Sequence, residues 1–541
     1  MRWAWRLAGK SPGWLGSPFP KAAIPGMVTP DITWKPIPMP SSPHLAPRLP
    51  QALYRADQVR ELDRIAIQDY ALAGGLLMER AGAAAYQLAR GLWPAARHWV
   101  VTCGIGNNGG DGYVVARLAH QDGLMVQVLQ LGDGNRLAGD ALAMASRFRT
   151  GGGQVQAYAG IPPDTDLIVD GLFGTGLERE VSGAWAAAIR DINGQGVPVL
   201  ALDIPSGLHS DSGRVLGEAV RADATISFIG LKQGLFTGQG PDLAGQIHYA
   251  DLDVPSALFQ RFPPSARRLA WPELSERLPR RRRDAHKGDF GHVLVVGGAA
   301  GYSGAARLAG EAALRAGAGL VTLGTDSRHA ALLNLGRPEL MCRGLAGPAD
   351  LDPLMSQARV VAIGPGLGQS DWGRGLLERV LTQDLPLVVD ADALNLLAQA
   401  PQRRDNWVLT PHPGEAARLL GISSHAVQQD RLGAAHRLAD RYGGVQVLKG
   451  AGTLVQIAGQ SAEICQGGNP GMASGGMGDL LTGVIAALIA QGLPLADAAR
   501  LGVCLHGAAG DRAALAGERG LIASDLLPEI RRLVNPGISP C

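Results

Sequence analysis

The stretch GGNPGMASGGMGDLLTGVIAALIAQG, residues 467–492, decides the fold of the second half of the chain. A loop of small residues at 467–478 leads directly into an apolar helix, and Asp479 stands at the start of that helix. Backbone N–H groups of such a loop and the positive end of the helix dipole together form a site for an anion. A carboxylate there can accept a proton from a hydroxyl group that attacks a phosphoryl group. The alternative is that Asp479 only offsets the helix dipole.

Short apolar runs alternate with helical patterns in both halves of the chain. In the first half, the runs cover residues 99–102, 125–131, 167–170, 197–202 and 224–229. In the second half, they cover residues 293–296, 320–323, 360–363, 385–389, 408–409 and 445–448. This alternation is typical of βαβ units and predicts a mostly parallel, doubly wound sheet in each half. The motifs of the two halves differ, so we expect two α/β domains rather than a duplication.

Two proline-rich segments interrupt this regular pattern. Residues 1–50 show neither a helical nor an alternating period, and we expect them to be a disordered extension. Residues 263–284 combine prolines with the arginine run 280–283, and we interpret them as a linker. Four arginines can hold a phosphate, but a charge run beside prolines is more often solvated, and we favour that interpretation.

The composition excludes several classes of protein. The 541 residues carry a net charge of only +2, which gives no broad basic surface for nucleic acid or an anionic membrane. The five cysteines form no CxxC pair, which argues against a disulfide framework or a zinc ribbon and suits a reducing cytosol. No apolar run reaches about 18 residues, so we expect no segment that crosses a membrane. We expect a cytoplasmic homo-oligomer that acts on small molecules.

The sequence CGIGNNGGDG, residues 103–112, follows the first predicted strand and precedes a helical stretch at 113–120. Ligands of open α/β sheets bind at this carboxyl edge. The glycines let backbone N–H groups converge beside a helix N-terminus, so a phosphate fits here. The alternative is a tight strand-to-helix turn, but Asn107, Asn108 and Asp111 supply oxygen atoms that a turn does not need.

Two further strand ends in the first half carry carboxylates. Asp170 stands in VDGLFGTGLERE, and Asp203 stands in LDIPSG, where Ser206 follows three residues later. Because these strand ends should converge, oxygen atoms of Asn108, Asp170 and Ser206 can ligate a weakly bound hard cation. Asp203 can act as a general acid or base toward a substrate. The alternative is that each aspartate only caps a helix or forms a turn.

The segment VLKGAGTLV in the second half contains a strand-to-turn connection suited to a nucleotide. A lysine and backbone amides can meet phosphates there, although the spacing is not that of a Walker motif. The residues concerned are Lys449, Gly450, Ala451, Gly452 and Thr453.

The segment TPHPGEAARLLG, residues 410–421, places two polar side chains between a strand and a helix. His412 can contact a substrate ring, or it can simply pack the loop between two prolines. Glu415 can position magnesium through a water molecule, or it can cap the helix.

The strings GNNGGDG, VDGLFGTGL and ALDIPSG, in this order, resemble the NAD(P)H-hydrate epimerase domain over residues 54–262. The resemblance implies a Rossmann-like three-layer domain that interconverts the R and S hydrates of NADH and NADPH, with potassium at Asn108, Asp170 and Ser206. The implied contacts to the hydrate are Asn107, Asn108, Gly109, Gly110, Asp111, Gly174, Thr175, Gly176, Leu177, Glu178, Arg179, Glu180 and Asp203. Lys232 can offer a further charge, but we expect it to be a solvated lysine.

The loop that leads to Asp479 resembles the GAGD-type site of ribokinase-like kinases. Together with HKGDFGHVLVVGGAAGYSGAARLAGEAALRAGAGLV, GPGLG and VVDADALNLL, it resembles the ADP-dependent NAD(P)H-hydrate dehydratase domain over residues 271–536. The resemblance implies a ribokinase-like α/β domain with hydrate contacts at Ala305, Gly366, His412 and Asp479. The implied adenine-nucleotide contacts are Lys449, Gly450, Ala451, Gly452, Thr453 and Gly478.

The order of the two domains is that of the bifunctional NAD(P)H-hydrate repair enzymes. The resemblance therefore implies metabolite repair, in which ADP and magnesium serve to phosphorylate the hydroxyl group of the hydrate. Asp479 takes the proton of that hydroxyl, and phosphate then leaves, so the products are NAD(P)H, AMP and phosphate.

Three other functions are compatible with parts of the sequence. A kinase for a sugar or a vitamin precursor would share the anion site and Asp479 but release a stable phosphorylated product. The first half can instead be a non-catalytic nucleotide- or RNA-binding module. A Rossmann dehydrogenase would need G-x-G-x-x-G with an acidic residue about twenty positions further on, which residues 103–112 and their surroundings do not provide.

Overall fold

The computed structural model describes residues 49–278 and 280–535, so the predicted extension lies almost entirely outside the described residues. The strands of the first half are β1 (Ala52–Tyr54), β2 (His98–Cys103), β3 (Met125–Gln130), β4 (Val155–Ala157), β5 (Leu167–Gly171), β6 (Val199–Leu202), β7 (Ala224–Phe228), β8 (Leu231–Lys232) and β9 (Gln246–Ala250). Its helices are α1 (Ala56–Gln68), α2 (Gly74–Leu92), α3 (Asn107–Gln121), α4 (Gly139–Thr150), α5 (Gly183–Gly194), α6 (Gly240–Leu243) and α7 (Ala257–Gln260).

Seven of these strands form a parallel sheet in the order β4-β3-β2-β5-β6-β7-β9. Its central strands are apolar on both faces. In β5, Leu167 and Val169 pack into one apolar cluster, and Ile168 packs into another. A parallel sheet buried on both faces lies between two helical layers. The three-layer arrangement predicted for the first half is therefore confirmed.

The second half contains a larger sheet. Its strands are β10 (Ala266–Leu269), β11 (His292–Val296), β12 (Leu320–Asp326), β13 (Met341–Leu345), β14 (Val360–Ile363), β15 (Leu387–Val389), β16 (Trp407–Leu409), β17 (Val445–Leu448), β18 (Thr453–Ile457) and β19 (Ala462–Cys465). Its helices are α8 (Trp271–Ser275), α9 (Ser303–Ala316), α10 (Asp352–Met355), α11 (Asp371–Leu381), α12 (Ala391–Gln399), α13 (Pro413–Leu420), α14 (Ser424–Gln429), α15 (Arg431–Tyr442), α16 (Met477–Ala490), α17 (Leu495–Ala513) and α18 (Leu526–Leu533).

The second sheet has twelve strands in the order β13-β12-β11-β14-β15-β16-β17-β18-β19-β10-β1-β8. The strands from β13 to β17 are parallel, as the sequence predicts, and the hairpin of β17, β18 and β19 is antiparallel. Strands β1 and β8 of the first half complete the far edge of this sheet. The two halves therefore share one sheet.

The segment predicted as a linker, residues 263–284, contributes to that shared sheet. Its strand β10 pairs with β1 on one side and with β19 on the other. The guanidinium of the buried Arg268 donates hydrogen bonds to the carbonyl oxygen of Leu49 (2.8 Å) and to Oε1 of Gln466 (2.6 Å). The structure thus differs from the predicted linker, because the surrounding prolines and arginines obscure a four-residue strand in the sequence.

Helix α16 is the centre of the second half and is buried on nearly all sides. It packs closely along α9, and a side chain at Gly483 would clash with the carbonyl oxygen of Ala309. This close packing fixes the start of α16, where Asp479 lies, relative to the sheet. Among the residues that the structure describes, no helix is both long and apolar enough to cross a bilayer.

Candidate active sites

Asp479 lies in the first turn of α16, beside the side chains of two other strand-end loops. The helix begins after Gly476, whose φ of 91° is in the left-handed region that favours glycine. A β-carbon at Gly478 would lie 3.3 Å from Nζ of Lys449 and 3.5 Å from Oδ2 of Asp390. The first turn of the helix therefore directly abuts a lysine and an aspartate.

Lys449 and Asp390 form a buried ion pair with 2.7 Å between Nζ and Oδ1. The other carboxylate oxygen of Asp390 accepts a hydrogen bond from the hydroxyl of Thr482 at 2.8 Å. Burial alone would raise the pKa of Asp390, but Lys449 and the threonine hydroxyl together lower it. Burial would likewise lower the pKa of Lys449, but Asp390 and Glu415 raise it. Both groups of the pair are therefore ionised.

Asp479 has a pKa that is well suited to proton transfer near neutrality. Its burial, together with the nearby negative charge of Asp390, raises this pKa to about 7, against the opposing effect of Lys449. A general base works best when its pKa is near the working pH. A carboxylate with this pKa is able to exchange a proton near neutral pH, as the sequence interpretation of Asp479 requires.

His412 and Glu415 form the N-terminal cap of α13. Glu415 Oε2 accepts a hydrogen bond from the His412 N–H at 2.8 Å, and His412 Nδ1 accepts one from the Gly414 N–H at 2.9 Å. Burial and then Lys449 lower the pKa of His412, so its ring is neutral. Burial raises the pKa of Glu415 to about 7. Glu415 caps the helix, and its carboxylate also lies 3.8 Å from Nζ of Lys449.

The loop predicted to hold the nucleotide is fixed from behind by Arg431. This buried guanidinium donates hydrogen bonds to the carbonyl oxygens of Lys449 and Gly452, each at 3.3 Å, and to the hydroxyl of Thr237 at 3.1 Å. Gly452 has φ of 65°, and a side chain there would clash with the carbonyl oxygen of Phe236. The nucleotide loop therefore rests against a segment of the first half.

Ala305 and Gly366 also meet near this site. A β-carbon at Gly366 would lie 3.2 Å from the side chain of Ala305, and a side chain at Gly364 would clash with the carbonyl oxygen of Asp390. The structure thus brings the predicted residues of the second half to one edge of the sheet. No sequence signal had placed His506 there, although it hydrogen-bonds to the backbone of Met477 and is near enough to Lys449 for that charge to lower its pKa.

His506 is a buried histidine on α17 whose Nε2 has no hydrogen-bond partner among the described residues. Burial and then Lys449 lower its pKa to about 4, so the ring is neutral at physiological pH. No periodicity or spacing in the sequence points to this residue. Asp390 lies within the string VVDADALNLL, and its position directly after a buried strand is the signal that could have assigned it to the site.

Asn108, Asp170 and Ser206 meet in the first half, as predicted. The Ser206 hydroxyl donates a hydrogen bond to Oδ1 of Asp170 at 2.6 Å, and its N–H donates to Oδ2 at 2.8 Å. The Asn108 amide donates to the carbonyl oxygen of Phe173 at 2.9 Å, while its Oδ1 is buried without a partner among the described residues. Burial raises the pKa of Asp170 to about 6, against its hydrogen bonds from Ser206.

The glycine-rich loop of the first half is shorter than predicted. Helix α3 begins at Asn107 rather than after Gly112, so Gly109, Gly110 and Asp111 lie within its first two turns. A side chain at Gly109 would clash with the carbonyl oxygen of Gly104. These glycines therefore allow close packing of the helix, and only the N-terminus of α3 is left to receive a phosphate.

The segment after β5 lies partly beside this site and partly at the surface. Gly174 adjoins Asn108, because a β-carbon there would lie 3.3 Å from Cβ of Asn108. Leu177 packs into the apolar cluster on one face of the sheet, whereas Glu178, Arg179 and Glu180 are exposed. Of the predicted hydrate contacts at 174–180, the described structure therefore brings the start of the segment, at Gly174, next to the side chain of Asn108.

Lys232 is fully buried, so the prediction of a solvated lysine is wrong. Its ammonium group forms an ion pair with Oδ1 of Asp203 and donates a hydrogen bond to the carbonyl oxygen of Phe228 at 2.9 Å. Asp203 itself has φ of 66°, which is strained for a non-glycine residue. The reason for the error is that Lys232 ends a two-residue strand, β8, at the edge of the shared sheet, and the sequence does not reveal this strand.

Two more carboxylates face the Lys232 and Asp203 pair. Burial raises the pKa of Asp111 well above its usual range, and Asp203 and Asp63 add to that shift. Burial also raises the pKa of Asp63 to about 7, against the effect of Lys232. The first site therefore holds one buried ammonium among three carboxylates. Asp63, on α1, carried no sequence signal.

Family models match both halves of the chain, and known proteins match most of its length. Residues 293–532 match the family model described as NAD(P)H-hydrate dehydratase, and residues 74–234 match the model described as YjeF-related protein N-terminus. The bifunctional NAD(P)H-hydrate repair enzyme of Coxiella burnetii is 48% identical over 490 residues, which are 90% of this chain and 99% of that protein. That of Escherichia coli K12 is 46% identical over 493 residues, which are 91% of this chain and 95% of that protein.

A solved structure also matches the second half. It is an ADP/ATP-dependent NAD(P)H-hydrate dehydratase from Bacillus subtilis, co-crystallised with ATP and Mg²⁺, with 31% identity and a TM-score of 0.45. The match covers 49% of this chain and 96% of the Bacillus subtilis chain.

The fold and the two sites define an α/β enzyme with two candidate reaction centres, one in each half of the chain. The two family models match one half each, and the relatives match nearly the whole chain. The chain belongs to the family of bifunctional NAD(P)H-hydrate repair enzymes, with an epimerase domain followed by a dehydratase domain. The predicted family and fold class are confirmed.

Replacing Lys232 by Met should destabilise the protein in a pH-dependent way. Removal of one partner of a buried ion pair costs about 3–5 kcal/mol in the free energy of unfolding. The loss should be larger at about pH 8 than at about pH 5, because the raised pKa values of Asp63 and Asp111 let them take up protons at low pH. Urea unfolding of the full chain at both pH values measures this. An equal loss at both would contradict the buried cluster.

Proposed function

We propose that the second half restores NADH and NADPH from their S hydrates by phosphoryl transfer from ADP. The observation that carries this proposal is Asp479, with its pKa of about 7, in the first turn of α16 beside Lys449 and Asp390. Hydroxide is a poor leaving group. Transfer of a phosphoryl group to the hydroxyl of the hydrate makes a group that leaves readily, and the ring nitrogen then expels phosphate.

Asp479 is the general base of this reaction. It accepts the hydroxyl proton as the oxygen attacks the terminal phosphoryl group of ADP, so AMP is released and the phosphorylated hydrate remains. The first-turn N–H groups of α16 and the ammonium of Lys449 stabilise the negative charge of the transferred group. The loop of residues 449–453 binds the nucleotide, and Ala305, Gly366 and His412 contact the hydrate.

The carboxylates of this site suit magnesium. Glu415 has a raised pKa because it is buried beside other carboxylates, and a divalent cation nearby would favour its ionised form. Glu415, through water, and the phosphates of ADP would hold the ion. When bound with the nucleotide, magnesium neutralises phosphate charge.

We propose that the first half interconverts the R and S hydrates. Asp203, paired with the buried Lys232, is the group placed to exchange a proton with the hydrated ring, and the N-terminus of α3 binds the nucleotide phosphates. The unpartnered Oδ1 of Asn108, with Asp170 and Ser206, offers the all-oxygen environment that a potassium ion takes. The cytoplasmic location and homo-oligomeric state stay predictions.

Asp479→Asn should lower the rate of dehydration about 100-fold or more, because the amide cannot accept the proton. The assay incubates hydrated NADH with ADP, or with ATP in parallel, and follows the return of dihydronicotinamide absorbance. Asp371→Asn is the matched control, since Asp371 is an exposed aspartate in the first turn of α11. A kinase that only phosphorylates would give no recovery of absorbance even in the unaltered protein.

The rate of dehydration should rise with pH through about 7. Asp479 acts only when it is ionised, and its pKa is about 7, so kcat/KM should increase between about pH 6 and about pH 8 and then level off. Glu415 has a similar pKa, and the Glu415→Gln variant tells the two groups apart. If Asp479 is the base, this variant should show the same increase of kcat/KM with pH, although at a lower rate. Loss of the rise in Glu415→Gln would assign it to Glu415 instead.

Asp203→Asn should slow the interconversion of the R and S hydrates about 100-fold and leave the dehydration of S hydrate unchanged. Chromatographic separation of the two hydrates over time measures interconversion. Asp251→Asn, an exposed aspartate in the same half, should behave like the unaltered protein. Unchanged interconversion in Asp203→Asn would favour a non-catalytic binding module.

A further inference from the structure

A cavity of about 1310 Å³ lies at the far end of α16 from Asp479. It is lined by Gln491, which follows the last residue of this helix, and by Gly317, which follows the last residue of α9. Helix α16 has 14 residues and therefore spans about 21 Å. The cavity is thus separate from the site at Asp479, which lies at the other end of this helix.

The side chains that line this cavity are strongly cationic. Among the described residues they include one carboxylate, Asp289, which accepts a hydrogen bond from the backbone N–H of His286. The arginines of the lining are Arg280, Arg281, Arg282, Arg315, Arg359 and Arg531. Three of them belong to the arginine run that the sequence predicted to be merely solvated.

Two of the arginines form hydrogen bonds at the C-terminal ends of α9 and α16. Arg281 donates hydrogen bonds to the carbonyl oxygen of Gly317 and, at 3.0 Å, to Oε1 of Gln491, and Arg359 donates to the carbonyl oxygen of Ala490 at 3.2 Å. These bonds satisfy carbonyl groups that a helix leaves unpaired at its C-terminus. They hold both guanidinium groups at the cavity wall without neutralising their charge.

Two other arginines are free to bind an anion. Within the described part of the chain, neither Arg315 nor Arg531 forms a side-chain hydrogen bond or an ion pair in the structure. Arg315 is half-buried at the end of α9, and Arg531 projects from α18. Guanidinium groups bind phosphate oxygens in a bidentate manner, so several of them around one space recognise linked phosphates.

Apolar side chains form the rest of the wall. Leu314, Leu493 and Val534 line the cavity, and the guanidinium of Arg281 stacks over the ring of Phe290 at 3.6 Å from its centroid. Sites for small molecules combine such apolar surface with a few charged groups. The wall therefore accommodates a flat apolar group next to phosphates.

We propose that this arginine cavity binds a small molecule with two or more linked phosphates. The shared chemistry is that of a nucleoside polyphosphate or of inorganic oligophosphate, and the cavity is large enough for either. The proposal is independent of the reaction proposed for Asp479, because it depends on charges at the opposite end of α16.

Titration calorimetry of the full chain with inorganic tripolyphosphate, and separately with ADP, tests the proposal. The unaltered chain should show a second class of tripolyphosphate site besides the nucleotide loop, with affinity that falls steeply as salt is added. In Arg315→Gln/Arg531→Gln, affinity at this second site should fall about 10-fold or more. If the second site also takes ADP, a nucleotide is the ligand; if it takes tripolyphosphate alone, oligophosphate is. Both results support the cavity.

The matched control is Arg136→Gln/Arg149→Gln, which removes two exposed arginines of the first half. It should bind tripolyphosphate like the unaltered chain. The cavity variant should keep its dehydration rate, which shows that it is folded and that its active site is intact. Equal tripolyphosphate binding by the cavity and control variants, or no tripolyphosphate binding by the unaltered chain, would overturn the proposal.

Discussion

The buried ion pair of Lys449 and Asp390 is the interaction on which the second site depends. Its 2.7 Å contact keeps Asp390 ionised where burial would otherwise protonate it. Burial, and then the charge of Asp390, raise the pKa of Asp479 to about 7, while Lys449 keeps it from rising further. The ion pair therefore sets the pKa of Asp479, the residue that we propose as the general base. The position of Asp479 relative to this pair depends on helix α16, because the close packing of α16 against α9 fixes where the helix begins.

The first site uses the same physical scheme with different residues. Lys232 is buried among Asp203, Asp63 and Asp111, just as Lys449 is near Asp390, Glu415 and Asp479. In each site one ammonium forms an ion pair with one carboxylate, and the remaining carboxylates have raised pKa values because they are buried and, in addition, close to other negative charges. The sites also adjoin through the protein, because the segment that follows Lys232 packs against the loop at Gly452. The shared sheet makes the two halves one folded unit over the described residues.

Much of the fold and the residues at strand ends could be predicted from the sequence. Parallel strands bury both faces, so their apolar runs are continuous, and aspartates such as Asp170 and Asp479 stand directly beside glycine-rich turns. The burial of Lys232 and the strand at residues 266–269 could not be predicted, because each depends on short strands that pair with a distant part of the chain. Asp63 and His506 lie on helices whose sequences give no hint of what they face. The surroundings of these two side chains are determined by how the helices pack, and the sequence of a helix does not show this.

The most direct test of phosphorylation followed by elimination is to trace the oxygen of the hydrate. NADH hydrate carrying ¹⁸O in its hydroxyl group is incubated with the unaltered chain and ADP, and the phosphate released is examined by mass spectrometry. If Asp479 directs that oxygen onto the phosphoryl group, the ¹⁸O must leave with phosphate, in proportion to the NADH restored. Unlabelled phosphate, with the ¹⁸O found in water, would show that hydroxide leaves without being phosphorylated and would contradict the account.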